Sequence, residues 1–193
     1  VFTGRATVPV LWDKNTGTIV NNESADILRM MNDGFGDLAR NNIDLYPVGK
    51  REDIDSFNAR IYPVLNNGVY RAGFATTQIA YEEAFNEVFN CLDQVETELE
   101  GRDFLFADHP TESDIRLFVT LVRFDVAYHG LFKCNLRRLS DYANLQSFCR
   151  RMLDWSGIAE TVNFDHIKRG YYSIASLNPT GIVPLGPALD ELF

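Results

Sequence analysis

The chain has 193 residues, of which 46% are hydrophobic, and it carries a formal net charge of -9 at pH 7. This length and composition are enough for a buried core in one large domain, or in one domain and part of another. The acidic balance argues against nucleic acid or an anionic membrane as a partner, because both bind basic surfaces. The predicted partners are small molecules and other proteins.

Targeting and metal-binding signals are absent from the sequence. No apolar run approaches the roughly 20 residues of a membrane helix, and the first residues lack the basic start and apolar core of a secretory signal. Cys91, Cys134 and Cys149 are widely spaced without a CxxC pair, so neither a disulfide framework nor a metal site is indicated. These features predict a cytoplasmic protein. The chain starts at Val1 and enters an apolar run within ten residues, so we expect further residues upstream.

The first segment predicts a β-hairpin and a short helix. The run from Val8 to Trp12 is typical of a strand, DKNTG supplies a turn with Gly17 available for positive φ, and TIV is the expected partner strand. Glu23 and Ser24 precede the periodic segment ADILRMMN and mark the helix start. One hairpin and one helix bury too little apolar area to be stable alone, so more strands are needed.

A polar, proline-marked stretch over residues 34–49 is typical of a linker, and helical patterns dominate after it. Apolar residues at helical spacing predict a helix kinked near Pro63, a long amphipathic helix, and a mostly apolar helix that begins with a capping box of Thr111 and Asp114. A further helix is expected around Leu145 to Leu153 and another over 158–172, before an extended tail from about residue 177. The apolar positions of the first two helices are Ile54, Phe57, Ile61, Leu65, Tyr81, Phe85, Val88, Leu92, Val95 and Leu99.

Two features of the first segment suit the ends of a small peptide. Pro9 cannot donate to a sheet ladder, so it favours a strand start with a cis bond before it, and the backbone of Val8 is then free to pair with an extended ligand. At the helix start, the free N–H groups beside Glu23 and Ser24 favour a carboxylate, and the Glu23 side chain accepts an ammonium. Glutathione, with its γ-glutamyl head, is such a ligand.

The order of these features resembles the glutathione transferases. VPVL, a hairpin and ES before a helix are similar to the second half of their thioredoxin-like domain, and the capped segment TESDIRLF is similar to their all-α domain. Within that superfamily NNES, NNGVYRAGFATTQ, LVRFDVAYHGLFKCN and HIKRGYY resemble the xi class, the glutathionyl-hydroquinone reductases. The resemblance covers the whole chain.

The resemblance implies a fold class of α/β plus all-α. Residues 1–33 are then the carboxyl-terminal half of a thioredoxin-like, glutathione-binding domain, and residues 34–49 are a linker. Residues 50–193 are a helical bundle of the glutathione-transferase type, with the extended tail at its end. By resemblance the protein is also expected to be a homodimer.

The resemblance further implies an enzyme that reduces S-glutathionyl-hydroquinones to hydroquinones with glutathione as co-substrate. A cysteine takes the glutathionyl group as a mixed disulfide, and a second glutathione clears it. In the family this cysteine lies in a Cys-Pro-Trp motif upstream of the strand that opens this chain, and no such motif occurs here. The alternatives are an omega-like thioltransferase and a non-catalytic, transferase-like interaction module.

The resemblance assigns site residues on both sides of the linker. Tyr70 and Tyr171 are the expected substrate-side residues, whose hydroxyls should meet at one quinol ring. The HIKRGYY motif does not show which of the two neighbouring residues, Tyr171 or Tyr172, has this substrate-side role. The remaining candidates are Val8, Pro9, Glu23 and Ser24 for glutathione, and Tyr172, His166 and Arg169 for the substrate.

Taken without the resemblance, the same residues have simpler interpretations. Val8 and Pro9 are an ordinary edge strand, and the tyrosines are half-buried packing residues. Arg123 and Asp125 are expected to form a structural ion pair in the buried helix. Cys134 is the one cysteine with a neighbouring cation, but it lacks the proline that follows the family nucleophile.

Overall fold

The computed structural model describes residues 8–38 and 43–187, and the chain divides into two compact units, Val1–Arg51 and Glu52–Phe193. The predicted segments 1–33, 34–49 and 50–193 each include some residues outside the described ones, namely 1–7, 39–42 and 188–193.

The first unit contains the predicted antiparallel hairpin, with strands β1 (Leu11–Asp13) and β2 (Thr18–Asn21). Its turn is closed by the Asp13 carboxylate, which accepts hydrogen bonds from Asn15 N at 2.8 Å and from Thr16 Oγ1 at 2.7 Å. These donors hold the pKa of Asp13 below its ordinary value, with the Thr16 hydroxyl as the main cause. Gly17 has a φ of +65°, as the turn pattern predicts.

The first strand begins later than the sequence predicts. The expected strand started at Val8, whereas β1 starts at Leu11. Pro9 has no N–H to give to a ladder, so the two residues around it remain outside the paired strand. The register is also irregular between Leu11 and Trp12, where a bulge locally disrupts the pairing.

Helix α1 (Ser24–Asp33) follows the hairpin, as predicted. Glu23 is its N-cap, and its carboxylate accepts a hydrogen bond from Ala25 N at 3.4 Å. Leu45, in the predicted linker, is tied back to this helix, because its backbone N donates to Asn32 Oδ1 at 2.6 Å. No residue of α1 is fully buried. This agrees with the expectation that one hairpin and one helix bury little apolar area.

The rest of the described chain is helical and contains the hydrophobic core. The long helix predicted from its apolar stripe is present, with Val88, Leu92 and Val95 fully buried. The kink expected at Pro63 takes the form of a π-helical turn over Tyr62–Asn66. The helices are α2 (Arg51–Ile61), α3 (Gly68–Gly73), α4 (Gln78–Glu98), α5 (Glu112–Arg123), α6 (Ala143–Asp154) and α7 (Phe164–Tyr172).

Helix α5 starts at the predicted capping box, which is buried. Thr111 donates to Asp114 Oδ2 from its backbone N at 2.8 Å and from its Oγ1 at 2.7 Å. The second oxygen of Asp114 accepts Leu105 N at 2.9 Å, so the carboxylate ties the preceding loop to the helix. Helix α5 continues into a π-helical turn over Phe124–Tyr128. The cap therefore fixes where the buried helix starts, and through it where that turn lies.

The last helix is shorter than predicted. A helix was expected over residues 158–172, but Ala159–Thr161 form a 3₁₀ turn and α7 begins only at Phe164. Helix α7 does not extend to earlier residues, because the Asn163 side chain caps its N-terminus. The Asn163 side chain accepts a hydrogen bond from His166 N at 3.0 Å. Residues 177–187 contain no helix or strand, and hydrogen-bonded turns occur in their first part.

Within residues 8–38 and 43–187, no helix combines the length and the apolar content needed to cross a membrane. Over the same ranges, no three His, Cys, Asp or Glu side chains are grouped so that they could hold a metal ion.

Candidate functional site

Three tyrosine hydroxyls meet at one point in the second unit. The Tyr70 and Tyr171 hydroxyl oxygens are 2.5 Å apart, and the Tyr171 hydroxyl is 2.8 Å from that of Tyr128. The Tyr70 and Tyr128 hydroxyls are 3.4 Å apart. The convergence of Tyr70 and Tyr171 expected from the resemblance is therefore present, and Tyr128 joins it as a third member. We call these three residues the tyrosine cluster.

Each member of the tyrosine cluster comes from a different helical element. Tyr70 lies in α3, Tyr128 ends the π-helical turn after α5, and Tyr171 lies near the end of α7. Phe132 holds the three rings together, with ring centroids 5.3 Å from Tyr70, 5.3 Å from Tyr128 and 5.7 Å from Tyr171. A Cβ at Gly73 would clash with the Phe132 ring, so this glycine allows the ring to come close. The rings are fixed by aromatic packing.

The cluster runs from the core to the surface. The exposed fraction is 2% for Tyr128 and 37% for Tyr70, with Tyr171 between them. Burial raises the pKa of Tyr128 far above its ordinary value, and it raises the pKa of Tyr171 to about 12. Both phenols are therefore neutral at physiological pH and keep a hydrogen to donate. The cluster is suited to hydrogen-bond donation, not to action as a base.

Sequence reasoning missed Tyr128. It lies four residues after Phe124 in the buried helix pattern, where an aromatic residue is read as core. The segment LVRFDVAYHGLFKCN, which contributed to the resemblance, contains it, but nothing in that segment marks its hydroxyl as different from the neighbouring rings. Only the tertiary contacts show where the hydroxyl points.

The structure separates Tyr171 from Tyr172, which the sequence left open. Tyr172 is half-buried, and its hydroxyl lies beside Gly130, where an added Cβ would be 2.8 Å away. Its backbone oxygen accepts Asn178 Nδ2 at 2.7 Å, which ties the tail to α7. Of the two neighbouring tyrosines, only Tyr171 reaches the tyrosine cluster.

A cavity of about 540 Å³ lies between α5 and the segment that ends in α7. Tyr171, His166 and Arg123 line it, together with apolar side chains. Arg123 Nη1 donates to Val119 O, and Asp125 Oδ1 accepts Leu139 N at 2.9 Å. The ion pair expected between Arg123 and Asp125 is therefore not the arrangement found, because each side chain bonds to backbone instead.

The basic residues of α7 have different surroundings. His166 lines the cavity beside Tyr171, whereas the exposed Arg169 pairs with Asp165 at 2.8 Å. Lys168 Nζ donates to Leu185 O at 2.6 Å and so holds the tail. The structure brings His166, but not Arg169, to the cavity at the tyrosine cluster.

The cysteines of the chain are not suited to act as nucleophiles. Cys91, Cys134 and Cys149 are free and buried. Burial raises the pKa of Cys91 to about 11 and that of Cys134 to about 12, although the nearby Lys133 acts to lower the pKa of Cys134. Burial raises the pKa of Cys149 as well. A reactive cysteine needs exposure and a lowered pKa, so these buried thiols fit packing roles.

The candidate glutathione residues lie in the first unit. Val8 is 90% exposed, and the bond between Val8 and Pro9 is cis, as predicted. Glu23 and Ser24 are exposed at the start of α1. Glu23 N donates to Asn21 Oδ1 at 2.7 Å, which fixes the chain direction at the helix start.

The sequence is similar to known glutathione transferases and glutathionyl-hydroquinone reductases. A family model described as "Glutathione S-transferase, C-terminal domain" matches residues 78–151. The chain is 55% identical over 188 residues to the glutathionyl-hydroquinone reductase PcpF of Sphingobium chlorophenolicum, covering 97% of this chain and 60% of that protein. It spans about three fifths of the length of the curated relatives it matches.

The chain is also similar to solved structures of glutathione transferases. The glutathione-bound structure of YqjG from Escherichia coli K-12, a glutathione transferase homolog, matches with a TM-score of 0.94 at 51% identity, over 98% of this chain and 62% of that chain. Glutathione transferase Xi 1 from Trametes versicolor matches with a TM-score of 0.93 at 48% identity, over 100% of this chain and 68% of that chain.

Proposed function

Because the chain belongs to the xi class of the glutathione transferases and has their fold, we propose that the whole protein reduces S-glutathionyl-hydroquinones to hydroquinones. Within this chain, the observation that carries the proposal is the convergence of the Tyr70 and Tyr171 hydroxyls at one point. Two phenol donors at that spacing suit a quinol ring, whose own hydroxyl groups both donate and accept hydrogen bonds.

The proposed reaction consumes one free glutathione for each conjugate, and the enzyme's cysteine is regenerated. A cysteine thiolate attacks the sulfur of the conjugate, the carbon–sulfur bond breaks, and the ring carbon keeps the electron pair and takes a proton. A second glutathione thiolate then attacks the mixed disulfide, which yields glutathione disulfide and frees the cysteine thiolate. The buried cysteines of this chain do not fit that role, so we assign the nucleophile to the Cys-Pro-Trp motif that the family carries upstream.

The proposed substrate-side roles belong to Tyr70 and Tyr171. Their hydroxyls hydrogen-bond a quinol oxygen or supply the proton that the ring carbon takes, which requires hydrogen-bond reach. Burial raises the pKa of Tyr171 to about 12, so the phenol is protonated at the pH of the cell and can donate a hydrogen bond. His166, in the adjoining cavity, is a further candidate for substrate contact.

The residues of the first unit fit glutathione by their chemistry. The proposed contacts are the exposed backbone of Val8 next to Pro9, the carboxylate of Glu23, and Ser24 at the start of the ten-residue helix α1. Free N–H groups at that helix end favour a carboxylate, and Glu23 favours an ammonium. Together they suit the amino-acid head of a γ-glutamyl peptide. Catalysis in this proposal uses no metal.

We also propose a domain division, an oligomeric state and a cellular compartment. Residues 1–33 are proposed as the second half of the thioredoxin-like domain, residues 34–49 as the linker, and residues 50–193 as the helical domain with its tail. The protein is proposed to be a cytoplasmic homodimer. Three unpaired thiols support the reducing compartment, and xi-class membership supports the dimer. Light scattering of the full-length protein tests the dimer.

The deciding experiment supplies the full-length protein with glutathionyl-menadiol and glutathione. The expected products are menadiol and glutathione disulfide in a one-to-one ratio. Activity on a glutathione mixed disulfide without activity on the conjugate would instead indicate an omega-like thioltransferase. Activity on neither would indicate a non-catalytic, transferase-like module.

A further inference from the structure

The cavity between α5 and α7 has apolar walls. Phe118, Val119 and Val122 of α5 line it, together with Ile167 of α7. Val119 is 41% exposed although its side chain is apolar. The volume of about 540 Å³ falls within the roughly 300–1,000 Å³ that small-molecule sites occupy. These walls suit the flat, apolar body of an aromatic ring.

The same cavity has a basic lining without acidic side chains. Arg123 and His166 line it, and none of the described residues in the lining is Asp or Glu. Its two other polar side chains bond to backbone, since Thr161 Oγ1 donates to Ile158 O at 2.7 Å and Asn163 Oδ1 accepts His166 N at 3.0 Å. The chain carries a net charge of -9, so this basic lining contrasts with the protein as a whole. Such a cavity attracts a negatively charged group.

Arg123 retains hydrogen-bond donors for a ligand. A guanidinium group has five N–H donors. The hydrogen bond that the described chain shows for it runs from Nη1 to Val119 O, one turn earlier in α5. Asp125, two residues away, accepts Leu139 N at 2.9 Å. None of the ion pairs among the described residues includes Arg123.

The charge of Arg123 acts on Tyr171, the proposed substrate-side residue in the same cavity. Burial raises the pKa of Tyr171, and the positive charge of Arg123 acts to lower it. The guanidinium therefore lies near this phenol, and both side chains line the cavity. A quinol ring that reaches the Tyr171 hydroxyl consequently brings its other substituents close to Arg123.

We propose that Arg123 is a specificity-determining residue, which binds a carboxylate carried by the aromatic ring of the glutathionyl-hydroquinone. A guanidinium suits this group, because its parallel N–H donors match the two carboxylate oxygens. The preferred substrates are then conjugates of carboxylated hydroquinones, such as S-glutathionyl-2,5-dihydroxybenzoate. The turnover of these conjugates rests on the proposed reductase function, whereas binding of the free aromatic acid does not.

The first test compares two conjugates in the full-length protein, with glutathione as the reductant. S-glutathionyl-2,5-dihydroxybenzoate carries a carboxylate, and the matching 2,5-dihydroxybenzamide conjugate carries a neutral group of similar size. The wild-type protein should have a kcat/KM about ten- to a hundredfold higher for the acid, the value of a hydrogen bond to a charged group. The difference should lie mainly in KM, because the carboxylate is bound both before and during the reaction.

Arg123→Met separates this binding from the intrinsic reactivity of the two conjugates. The variant removes the charge and keeps a long side chain, and it should reduce the ratio of the two kcat/KM values, acid over amide, by about tenfold or more. Arg150→Met is the matched control, since Arg150 is exposed on α6 and does not line the cavity. This control should keep the wild-type ratio. An equal ratio in the two variants would overturn the role of Arg123.

The second test needs no catalysis. The full-length protein is titrated by calorimetry with free 2,5-dihydroxybenzoate and with free 2,5-dihydroxybenzamide. The wild type and Arg150→Met should bind the acid about tenfold more tightly than the amide, and Arg123→Met should bind both alike. Thermal unfolding shows whether Arg123→Met is folded. If it is not, the wild-type comparison decides, and equal affinity for acid and amide would overturn the site.

The two tests separate this inference from the proposed function. If the wild-type protein turns over neither of these conjugates nor glutathionyl-menadiol, the reductase function fails, and the titration still decides whether Arg123 binds a carboxylate. If the wild type reduces the conjugates without a preference that depends on Arg123, the specificity role fails alone.

Discussion

The hydroxyl oxygens of Tyr70 and Tyr171 lie 2.5 Å apart, although 101 residues separate them in the chain. One side chain is carried by a six-residue helix that follows a π-helical turn, and the other by the last helix of the described chain. Phe132 contacts both rings and links the two elements. A ligand oxygen that reaches one of these hydroxyls is therefore close to the other.

Replacing Tyr70 or Tyr171 with Phe in the full-length protein should lower turnover of glutathionyl-menadiol by roughly ten- to a thousandfold, the usual range for lost acid–base assistance. Glutathione affinity should barely change, because the proposed glutathione contacts belong to the first unit. Steady-state kinetics and calorimetry measure the two quantities. Wild-type turnover in both variants would remove the quinol assignment.

Glu23→Ala in the full-length protein should weaken glutathione binding by about 1.5 to 3 kcal/mol, the range for a hydrogen bond to a charged group. The fold should persist, since Glu23 is exposed. Calorimetric titration with glutathione gives the affinity. Asp33→Ala, at the opposite end of the same helix, is the control and should bind normally. Equal affinity for both variants would contradict the assignment of Glu23.

Thiol reagents should leave Cys91, Cys134 and Cys149 unmodified in the folded protein at neutral pH. Burial excludes the reagent, and the raised pKa values, about 11 for Cys91 and about 12 for Cys134, leave almost no thiolate. The thiolate fraction, and so the reactivity, rises only as pH approaches those values. Peptide mass spectrometry after brief iodoacetamide treatment measures the modification, with urea-unfolded protein as the positive control. Rapid native labelling of Cys134 would reopen the question of a nucleophile in this chain.

Asp114→Ala should lower the free energy of unfolding by about 3 kcal/mol. The change removes the acceptor for Leu105 N, Thr111 N and Thr111 Oγ1, and it leaves buried donors unpaired. Urea denaturation followed by circular dichroism measures the loss. Asp165→Ala, which removes an exposed partner of Arg169, is the control and should cost less than about 1 kcal/mol. A similar loss in both variants would show that the cap is not the cause.

The elements that the sequence predicts well are those with a local physical cause. The alternating steps of three and four in α4, the capping box of Thr111 and Asp114, and the turn glycine Gly17 each depend on neighbours within a few residues. Errors occur where one side chain changes an element boundary. Pro9 keeps the first strand from starting at Val8, and Asn163 starts α7 later than its apolar pattern indicates.

The sequence by itself determined the helical lobe, the hairpin with its helix, and, through the matching stretches, the xi class. It also marked Tyr70 and Tyr171 as candidates. Only the tertiary structure decided that Tyr171, and not Tyr172, reaches Tyr70, and that the buried Tyr128 completes the tyrosine cluster. The reason is that helix periodicity reports which face of a helix is buried, whereas a contact between hydroxyls depends on how α3, the turn after α5, and α7 pack around Phe132. That packing joins residues far apart in the chain, and no local pattern encodes it.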